Sequence, residues 1–199
     1  TIALQTYFLT RCLSPRLMRF TAVHPEIGLR FGPLNFIGEI ESIDADISIC
    51  WAKEGLIDAP HERLFACPAC PTGNSYIADK VREEGLDNVI LSTPLLLDSS
   101  ESTGWQDWFD LAGLDFSQSQ KGLSIADSNS RVQAVIDGQG IALWDLLVSP
   151  EVSSGRLHYL SDIWLDDYGY YVQAKKSNLE SKAVGLFLNW LRDESMDAN

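Results

Sequence analysis

The fold is decided by the stretch Val135-Ile136-Asp137-Gly138-Gln139-Gly140-Ile141-Ala142-Leu143-Trp144-Asp145-Leu146. Its first residues complete a helical pattern, and its last residues form an apolar run of the length that is typical of a buried strand. Gly138 is placed to end the helix, because glycine adopts the left-handed conformation of a C-terminal cap without strain. The stretch therefore predicts a helix that returns through a tight turn into a sheet, as α/β folds require.

Strands and helices alternate on both sides of this stretch. Short apolar or alternating runs mark the predicted strands, and apolar residues three to four positions apart mark the predicted helices. Strands are predicted at residues 2–5, 27–31, 47–51, 94–98, 122–126, 156–160 and 168–174, and helices at residues 13–20, 75–84 and 105–114, after Asp127-Ser128, and from a capping box at Ser177-Asn178-Leu179-Glu180 onward. This order indicates mainly parallel sheets with helical crossovers.

The composition is ordinary for a soluble globular protein, with 199 residues, 45% of them hydrophobic and 22% charged. No apolar run reaches the roughly 18 to 20 residues that span a bilayer, and no signal-peptide pattern is present. We therefore expect a cytoplasmic protein with no membrane partner. Because the chain begins at Thr1 without a Met, we also expect it to be part of a longer protein.

The net charge of −13, from 15 basic and 28 acidic residues, argues against DNA binding by this chain. Affinity for the phosphate backbone needs clustered Lys and Arg side chains. Basic residues occur here only in short pairs such as Lys175-Lys176. We therefore expect no direct nucleic-acid contact from this chain.

Five motifs together resemble one known family. They are Ser14-Pro15-Arg16-Leu17-Met18-Arg19-Phe20, His24-Pro25-Glu26-Ile27-Gly28-Leu29-Arg30, Pro94-Leu95-Leu96-Leu97-Asp98, Trp105-Gln106-Asp107-Trp108-Phe109-Asp110-Leu111-Ala112-Gly113-Leu114, and the stretch from Val135 to Leu146. In this order and spacing they resemble the effector-binding domain of LysR-type transcriptional regulators. The two middle motifs are similar to the branch that includes the glycine-cleavage activator and the β-lactamase regulator.

The resemblance implies an α/β fold of two Rossmann-like lobes with an interlobe cleft, like a type 2 periplasmic binding protein. Lobe one would comprise residues 1–68 and 170–199, and lobe two residues 69–169. The chain crosses between lobes near residues 66–71 and 168–172. The family's N-terminal winged helix-turn-helix is absent from this chain, so DNA would be bound only through that missing domain.

The resemblance also implies a function and partners. A bacterial regulator of this family binds a small-molecule effector in the cleft and controls transcription through rearrangement of its oligomer. We expect a homodimer or homotetramer, in which the first helix and second strand, about Arg16 to Phe31, contact lobe two of a second copy. The effector that we expect is a small aromatic or amphipathic carboxylate, or a short peptide-like metabolite.

Candidate effector-binding residues follow from the positions of the strand ends. Open α/β sheets bind ligands at the carboxyl ends of their strands, and a helix N-terminus there attracts anions. The candidates are Thr6, Tyr7, Phe8, Trp51, Asp127, Ser128, Asn129, Trp144 and Tyr171. Tyr170 and Tyr171 both match the family's "YYLV" motif, of which one tyrosine usually faces the cleft.

Three of these candidates depart from the family pattern. Tyr7 stands where a Ser or Thr is usual, Trp51 replaces a Tyr after the loss of a nearby Arg, and Trp144 replaces a Gly. A core position remains the alternative for both tryptophans, and a purely capping role remains the alternative for Ser128.

No catalytic signature is present, so we expect neither an enzyme nor a cofactor. The Cys67-Pro68-Ala69-Cys70 segment could indicate a thiol redox sensor or a metal site. However, residues three apart in an extended segment point to opposite faces, and no second ligand pair is present. We expect no metal. Besides a redox sensor, a stand-alone periplasmic-type solute-binding protein is the alternative function.

Overall fold

The computed structural model describes residues 1–34, 43–56, 61–99 and 103–196. The chain divides into two compact units, Thr1–Ala66 with Asp167–Asn199 and Cys67–Asp166. We call them lobe one and lobe two.

The helices and strands alternate along most of the chain. In chain order they are β1 (Ile2–Leu4), α1 (Thr6–Phe8), α2 (Leu17–Val23), β2 (Phe31–Pro33), β3 (Ile47–Lys53), β4 (Glu62–Ala66), β5 (Ala69–Gly73), α3 (Ser75–Glu84), α4 (Leu86–Ser92), β6 (Leu95–Leu97), α5 (Gly104–Ala112), β7 (Lys121–Ser124), α6 (Ser128–Ile136), β8 (Ala142–Asp145), α7 (Ser149–Ser153), β9 (His158–Tyr159), β10 (Tyr168–Ala174) and α8 (Lys182–Met196).

Lobe one is built on a sheet with the strand order β2-β1-β3-β10-β4. Strand β1 runs parallel to β2 and β3, whereas β10 runs antiparallel to both β3 and β4. One face of the sheet carries the buried side chains of Ala3, Cys50, Ala52 and Tyr171. Elsewhere in the lobe, Phe187 from α8 packs edge-on against Phe20 from α2, with ring centroids 5.3 Å apart.

Lobe two repeats the same strand arrangement. Strands β8, β5 and β9 form an antiparallel sheet, β6 pairs in parallel with β7, and a bridge between Leu95 and Ile141 connects β6 to the residue before β8. The resulting order is β7-β6-β8-β5-β9. Strand β5, which follows the first crossing of the chain, therefore holds the fourth position, as β10 does in lobe one. Trp105, Trp108 and Phe109 fill the core beneath α5.

The Gly138-Gln139-Gly140 turn has the role that the sequence predicts. Gly138 follows Asp137, the C-cap of α6, and has φ of 80°, and Gly140 has φ of 156°. A side chain on Gly140 would collide with the carbonyl oxygen of Pro94. That same oxygen accepts a hydrogen bond from the Ile141 N–H at 3.0 Å, so the turn can bring Ile141 beside β6 only if residue 140 lacks a Cβ.

The predicted strand at residues 27–31 was misplaced, because pairing with β1 starts only at Phe31. The predicted first helix is interrupted at Pro15, whose ring nitrogen has no N–H to donate. Before it, the Ser14 N–H bonds the carbonyl of Leu9 in a wide π-type turn, and regular helix resumes only at Leu17.

The capping box predicted for the last helix is also wrong. Helix α8 begins at Lys182, and residues Lys176–Asn178 form a separate 3-10 turn. The Ser177 hydroxyl donates to the side chain of Asn178 and not to a helical N–H. The predictions for α3 and α5 agree with the structure, including the left-handed cap at Gly113.

Candidate functional site

The carboxyl ends of β1, β3 and β4 lie at one edge of the lobe-one sheet, because these three strands point the same way. Thr6, Tyr7 and Phe8 follow β1 directly and form the short helix α1. Trp51 lies near the end of β3, and the register places it opposite Tyr170 of β10. Four of the predicted site residues are therefore carried by the same edge of one sheet.

Aromatic rings cover this edge. Phe8 lies 4.4 Å from the ring of Tyr170, Phe65 lies 5.3 Å from the same ring, and Trp51 stacks on Tyr168 at 4.3 Å. Phe8, Tyr168 and Tyr170 are buried, whereas Trp51 and Phe65 keep part of their surface exposed. We name Phe8, Trp51, Phe65, Tyr168 and Tyr170 the aromatic edge. Such a surface suits an apolar or aromatic group of a ligand.

Tyr7 is buried to 1% exposure and lies in the lobe-one core. The guanidinium of Arg11, one helical turn later, stands 4.6 Å from the centre of its ring. Thr6, by contrast, is half-buried at the start of α1. Of the two hydroxyl side chains at this position, Thr6 is the one with surface available to a ligand.

Tyr170 and Tyr171 lie on opposite faces of the lobe-one sheet, as neighbouring strand residues must. Tyr171 belongs to the cluster with Ala3 and Cys50, and its buried hydroxyl has no hydrogen-bond partner among the described residues. Burial raises the pKa of this hydroxyl above its ordinary value. The structure thus brings Tyr170, rather than Tyr171, together with Phe8; an effector contact by Tyr171 stays a prediction.

Two cations near the aromatic edge are paired with carboxylates. Lys53 at the end of β3 lies 3.4 Å from a carboxylate oxygen of Asp167, and Arg63 lies 3.8 Å from one of Glu54. Because Lys53 and Arg63 both have an acidic partner, their charges are largely compensated, and the described surface of this edge is mainly aromatic.

In lobe two, helix α6 begins just after the carboxyl end of β7. Asp127 is its N-cap, and one carboxylate oxygen accepts hydrogen bonds from the Ser130 N–H at 2.8 Å and the Ser130 hydroxyl at 2.7 Å. Ser128 is the first helical residue, so it is not the cap. It is only 4% exposed. Asn129 is half-buried beside it.

Arg131 lies one turn further along α6 and was not among the predicted site residues. It is 7% exposed, and its guanidinium stands 4.9 Å from the centre of the Trp144 ring, near the carboxyl end of β8. Trp144 is itself buried. The spacing of three from Ser128 to Arg131 could have indicated a shared helix face, because residues three apart are neighbours on a helix.

The cysteines are placed as packing residues. All four are buried thiols, and burial raises the pKa of Cys70 to about 12. Because the thiolate is the reactive form, such a thiol is poorly suited to redox sensing at neutral pH. No group of three or more His, Cys, Asp or Glu residues within the described ranges could hold a metal ion.

The family comparison covers nearly the whole chain. The LysR substrate binding domain model matches residues 1–196. The glycine cleavage system transcriptional activator of Escherichia coli K12 is 24% identical over 193 residues, which make up 96% of this chain and 63% of that protein. The chain therefore spans less than two thirds of this relative's length.

Solved structures show the same fold. The effector domain of the transcriptional regulator AmpR of Pseudomonas aeruginosa superposes with a TM-score of 0.81 at 22% identity, covering 99% of this chain and 95% of that one. Full-length LysG of Corynebacterium glutamicum, solved with its effector Arg bound, gives a TM-score of 0.71 at 17% identity, covering 98% of this chain and 67% of that one.

No helix in the described ranges combines the length and the apolar character that crossing a membrane requires. The matched regulators are not enzymes. The chain is a member of the LysR substrate-binding domain family, with the mixed α/β, periplasmic-binding-protein-like fold that its motifs predicted.

Proposed function

We propose that this chain is the ligand-sensing domain of a LysR-type transcriptional regulator and that it binds a small-molecule effector at the carboxyl edges of its two sheets. The observation that carries the proposal is the position of Ser128, which is 4% exposed and begins α6 just after the carboxyl end of β7. A ligand that forms a hydrogen bond with this hydroxyl in such a sheltered place would gain affinity, and the start of a helix attracts polar and anionic groups.

The ligand would contact both lobes. In lobe one, Thr6 and the exposed faces of Trp51 and Phe65 would form the apolar side of the site. In lobe two, Ser128 and Asn129 would supply hydrogen bonds, with Trp144 packing behind them. The cleft that the family resemblance predicts between the lobes is part of this proposal, as is a small effector; the LysG protein with bound Arg supports that class of ligand.

Effector binding would reach the promoter through the oligomer. A ligand shifts an equilibrium between two arrangements only by its difference in affinity for them. We propose that the chain forms a homodimer through the segment from Arg16 to Phe31. Met18 and Val23 on α2 support this, because they are 78% and 70% exposed although both are apolar.

DNA binding would belong to a part of the whole protein outside this chain, and the protein would act in the bacterial cytoplasm. The net charge of −13 supports the first statement. The family match favours a regulator over a stand-alone solute-binding protein, and the burial of Cys67 and Cys70 disfavours a thiol redox sensor.

The test is a thermal-shift screen against a metabolite library, followed by Ser128→Ala. A ligand present at 100 times its dissociation constant adds about 2.7 kcal/mol to the stability of the folded state, which is a readable shift. Ser128→Ala should weaken the binding of a hit by about 1 kcal/mol or more. Ser130→Ala is the matched control, since Ser130 lies in the same helical turn but is exposed. Equal affinity of wild type and Ser128→Ala would refute the contact.

A further inference from the structure

Lobe one contains an open pocket with a volume of about 220 Å³. It lies where β4 begins at Glu62 and where the antiparallel strand β10 ends at Ala174, and helix α8 forms its other side. We name it the α8 pocket, and its lining includes His61, Val172, Ala174, Lys176, Leu188 and Arg192. Because the aromatic edge lies at the carboxyl end of β4 and the α8 pocket at its amino end, the two are separate places in the same lobe.

The floor of the α8 pocket is apolar. Val172 and Ala174 contribute from β10, and Leu188 contributes from α8. Leu179, in the turn before α8, also lines the pocket and is 59% exposed. An apolar group bound here would remove this surface from water, which is favourable. Because a cavity of about 150 Å³ already accepts a benzene molecule, the α8 pocket has room for one ring or a short aliphatic chain.

An ion pair fixes one part of the rim. The Arg192 guanidinium donates to both carboxylate oxygens of Glu62 at 2.7 to 3.0 Å, and another of its nitrogens donates to the side chain of Asn189 at 2.8 Å. These contacts connect β4 to α8 and hold the guanidinium in one orientation. Because each charge of this pair has the other as its partner, the pair adds little net charge to the rim.

Lys176 gives the rim its positive charge. It is exposed and lines the pocket, whereas the preceding Lys175 lies 3.1 Å from a carboxylate oxygen of Asp44. The imidazole of His61 lies on the same rim and is half-buried. A cationic rim is notable in a chain with a net charge of −13, and it favours a negatively charged head group.

We propose that the α8 pocket is a second ligand site, which binds a small carboxylate with a short apolar tail. The tail packs on Val172, Ala174 and Leu188, and the carboxylate lies at the rim beside Lys176 and His61. Such a ligand contacts β4, β10 and α8 together. Because β4 precedes the first crossing of the chain and β10 follows the second, the ligand stabilises the part of lobe one from which both connections start. The site is independent of the proposed effector site.

The first test is an amide NMR titration of this chain with acetate, butyrate and hexanoate at constant ionic strength. Hexanoate should give saturable shifts in the amide signals of Ala174, Leu179 and Leu188. Affinity should rise about fourfold for each CH₂ group that becomes buried on the apolar floor. If hexanoate gives no saturable shifts at these amides, or binds no more tightly than acetate, the proposal is wrong.

The charge of the head group is tested with hexanamide, which keeps the chain length of hexanoate but is neutral. It should bind more weakly than hexanoate. Lys176→Gln should lower the affinity for hexanoate by about two- to fivefold, the range of an exposed ion pair, and leave that for hexanamide unchanged. Lys175→Gln is the matched control, because it removes the same charge one residue away and should leave both affinities unchanged. An unaltered preference for hexanoate in Lys176→Gln would contradict the role of Lys176.

A substitution inside the pocket then assigns the site. Leu179→Asp changes an exposed side chain, so the fold should persist, and it places a negative charge where the carboxylate ligand binds. The affinity for hexanoate should fall by about tenfold or more. Hexanoate-induced shifts confined to Thr6–Phe8 or Ser128–Arg131 would assign the carboxylate to the proposed effector site and overturn the proposal of a second one.

Discussion

At the scale of single residues, the fold changes the ionisation of two thiols most clearly. Cys50 lies in the lobe-one cluster and Cys70 in the central strand of lobe two, and they are 3% and 0% exposed. Burial raises the pKa of each from 9.0 to about 12. Both residues therefore stay protonated in the native state at pH values where an unfolded chain ionises them.

The free energy of unfolding should fall as the pH rises above 9. Between pH 9 and about 12 the unfolded thiols lose their protons while the native thiols keep theirs, so each thiol lowers stability by about 1.4 kcal/mol per pH unit. Urea unfolding at pH 7, 9 and 10 measures this. The double variant Cys50→Ala, Cys70→Ala should show a shallower decline, and a decline equal to that of the wild type would contradict the burial argument.

Single residues also show where sequence reasoning stops. The positions of Ser128 and Phe8 at the start of a helix after a strand could be predicted, because a strand end followed by a helix start is visible in the sequence; their contact with an effector stays a prediction. The motif alone could not show whether Tyr170 or Tyr171 lies beside Phe8, because that depends on which face of the sheet packs against Phe8. Arg131 was missed because a cation inside a helical pattern is ordinarily a solvated residue, and only the structure shows its burial against Trp144.

At the scale of elements, the glycine turn fixes how α6 leads into β8. Gly140 has φ of 156°, and a Cβ there would meet the Pro94 carbonyl oxygen, which is backbone and cannot move aside. Gly155 has a left-handed φ of 73° with open space around it. A side chain at Gly155 would therefore cause only backbone strain, whereas one at Gly140 would also collide with the Pro94 carbonyl oxygen.

Gly140→Ala should destabilise the domain by about 2 to 4 kcal/mol, because conformational strain and collision add. Gly155→Ala is the control and should cost about 1 kcal/mol, since its strain is partly offset by the reduced freedom of the unfolded chain. Urea unfolding of both variants gives the comparison. Equal losses would show that the close approach to Pro94 does not matter.

Elements with strong local signals were predictable, and those set by neighbours were not. Asn74 caps the N-terminus of α3, and Gly113 ends α5 in the left-handed conformation, so both boundaries have a local signal in the sequence. The start of β2 depends on which of its residues form hydrogen bonds with β1. The alternation of apolar and polar residues in the sequence does not show this. The Ser177–Glu180 box matched a local pattern, but the chain there forms a 3-10 turn before α8, so tertiary context outweighed a motif whose contribution is small.

At the scale of the whole molecule, both lobes use the same strand arrangement. In each lobe, the strand that follows a crossing of the chain lies in the fourth position of the sheet. Strand β5 lies between β8 and β9, and β10 lies between β3 and β4. Lobe one therefore needs its C-terminal segment to complete its sheet. The exposed apolar side chains on α2 lie in the part of lobe one that the proposed dimer would cover.

The isolated domain should self-associate at tens of micromolar. Met18→Asp and Val23→Asp place charges on the proposed interface and should each shift the light-scattering mass towards that of a monomer of 22.1 kDa. Leu179→Asp is the control, because Leu179 is 59% exposed but lies outside the segment from Arg16 to Phe31. A wild-type domain that is already monomeric at this concentration would contradict the proposed dimer.

The most direct test of effector sensing is an amide NMR titration of this domain with the first compound that raises its melting temperature. We predict saturable shifts in the amide signals of Ser128 to Arg131 in lobe two and of Thr6 to Phe8 in lobe one, because the ligand would contact both sheet edges. Shifts confined to other parts of the chain, or to one lobe alone, would contradict a site built from both.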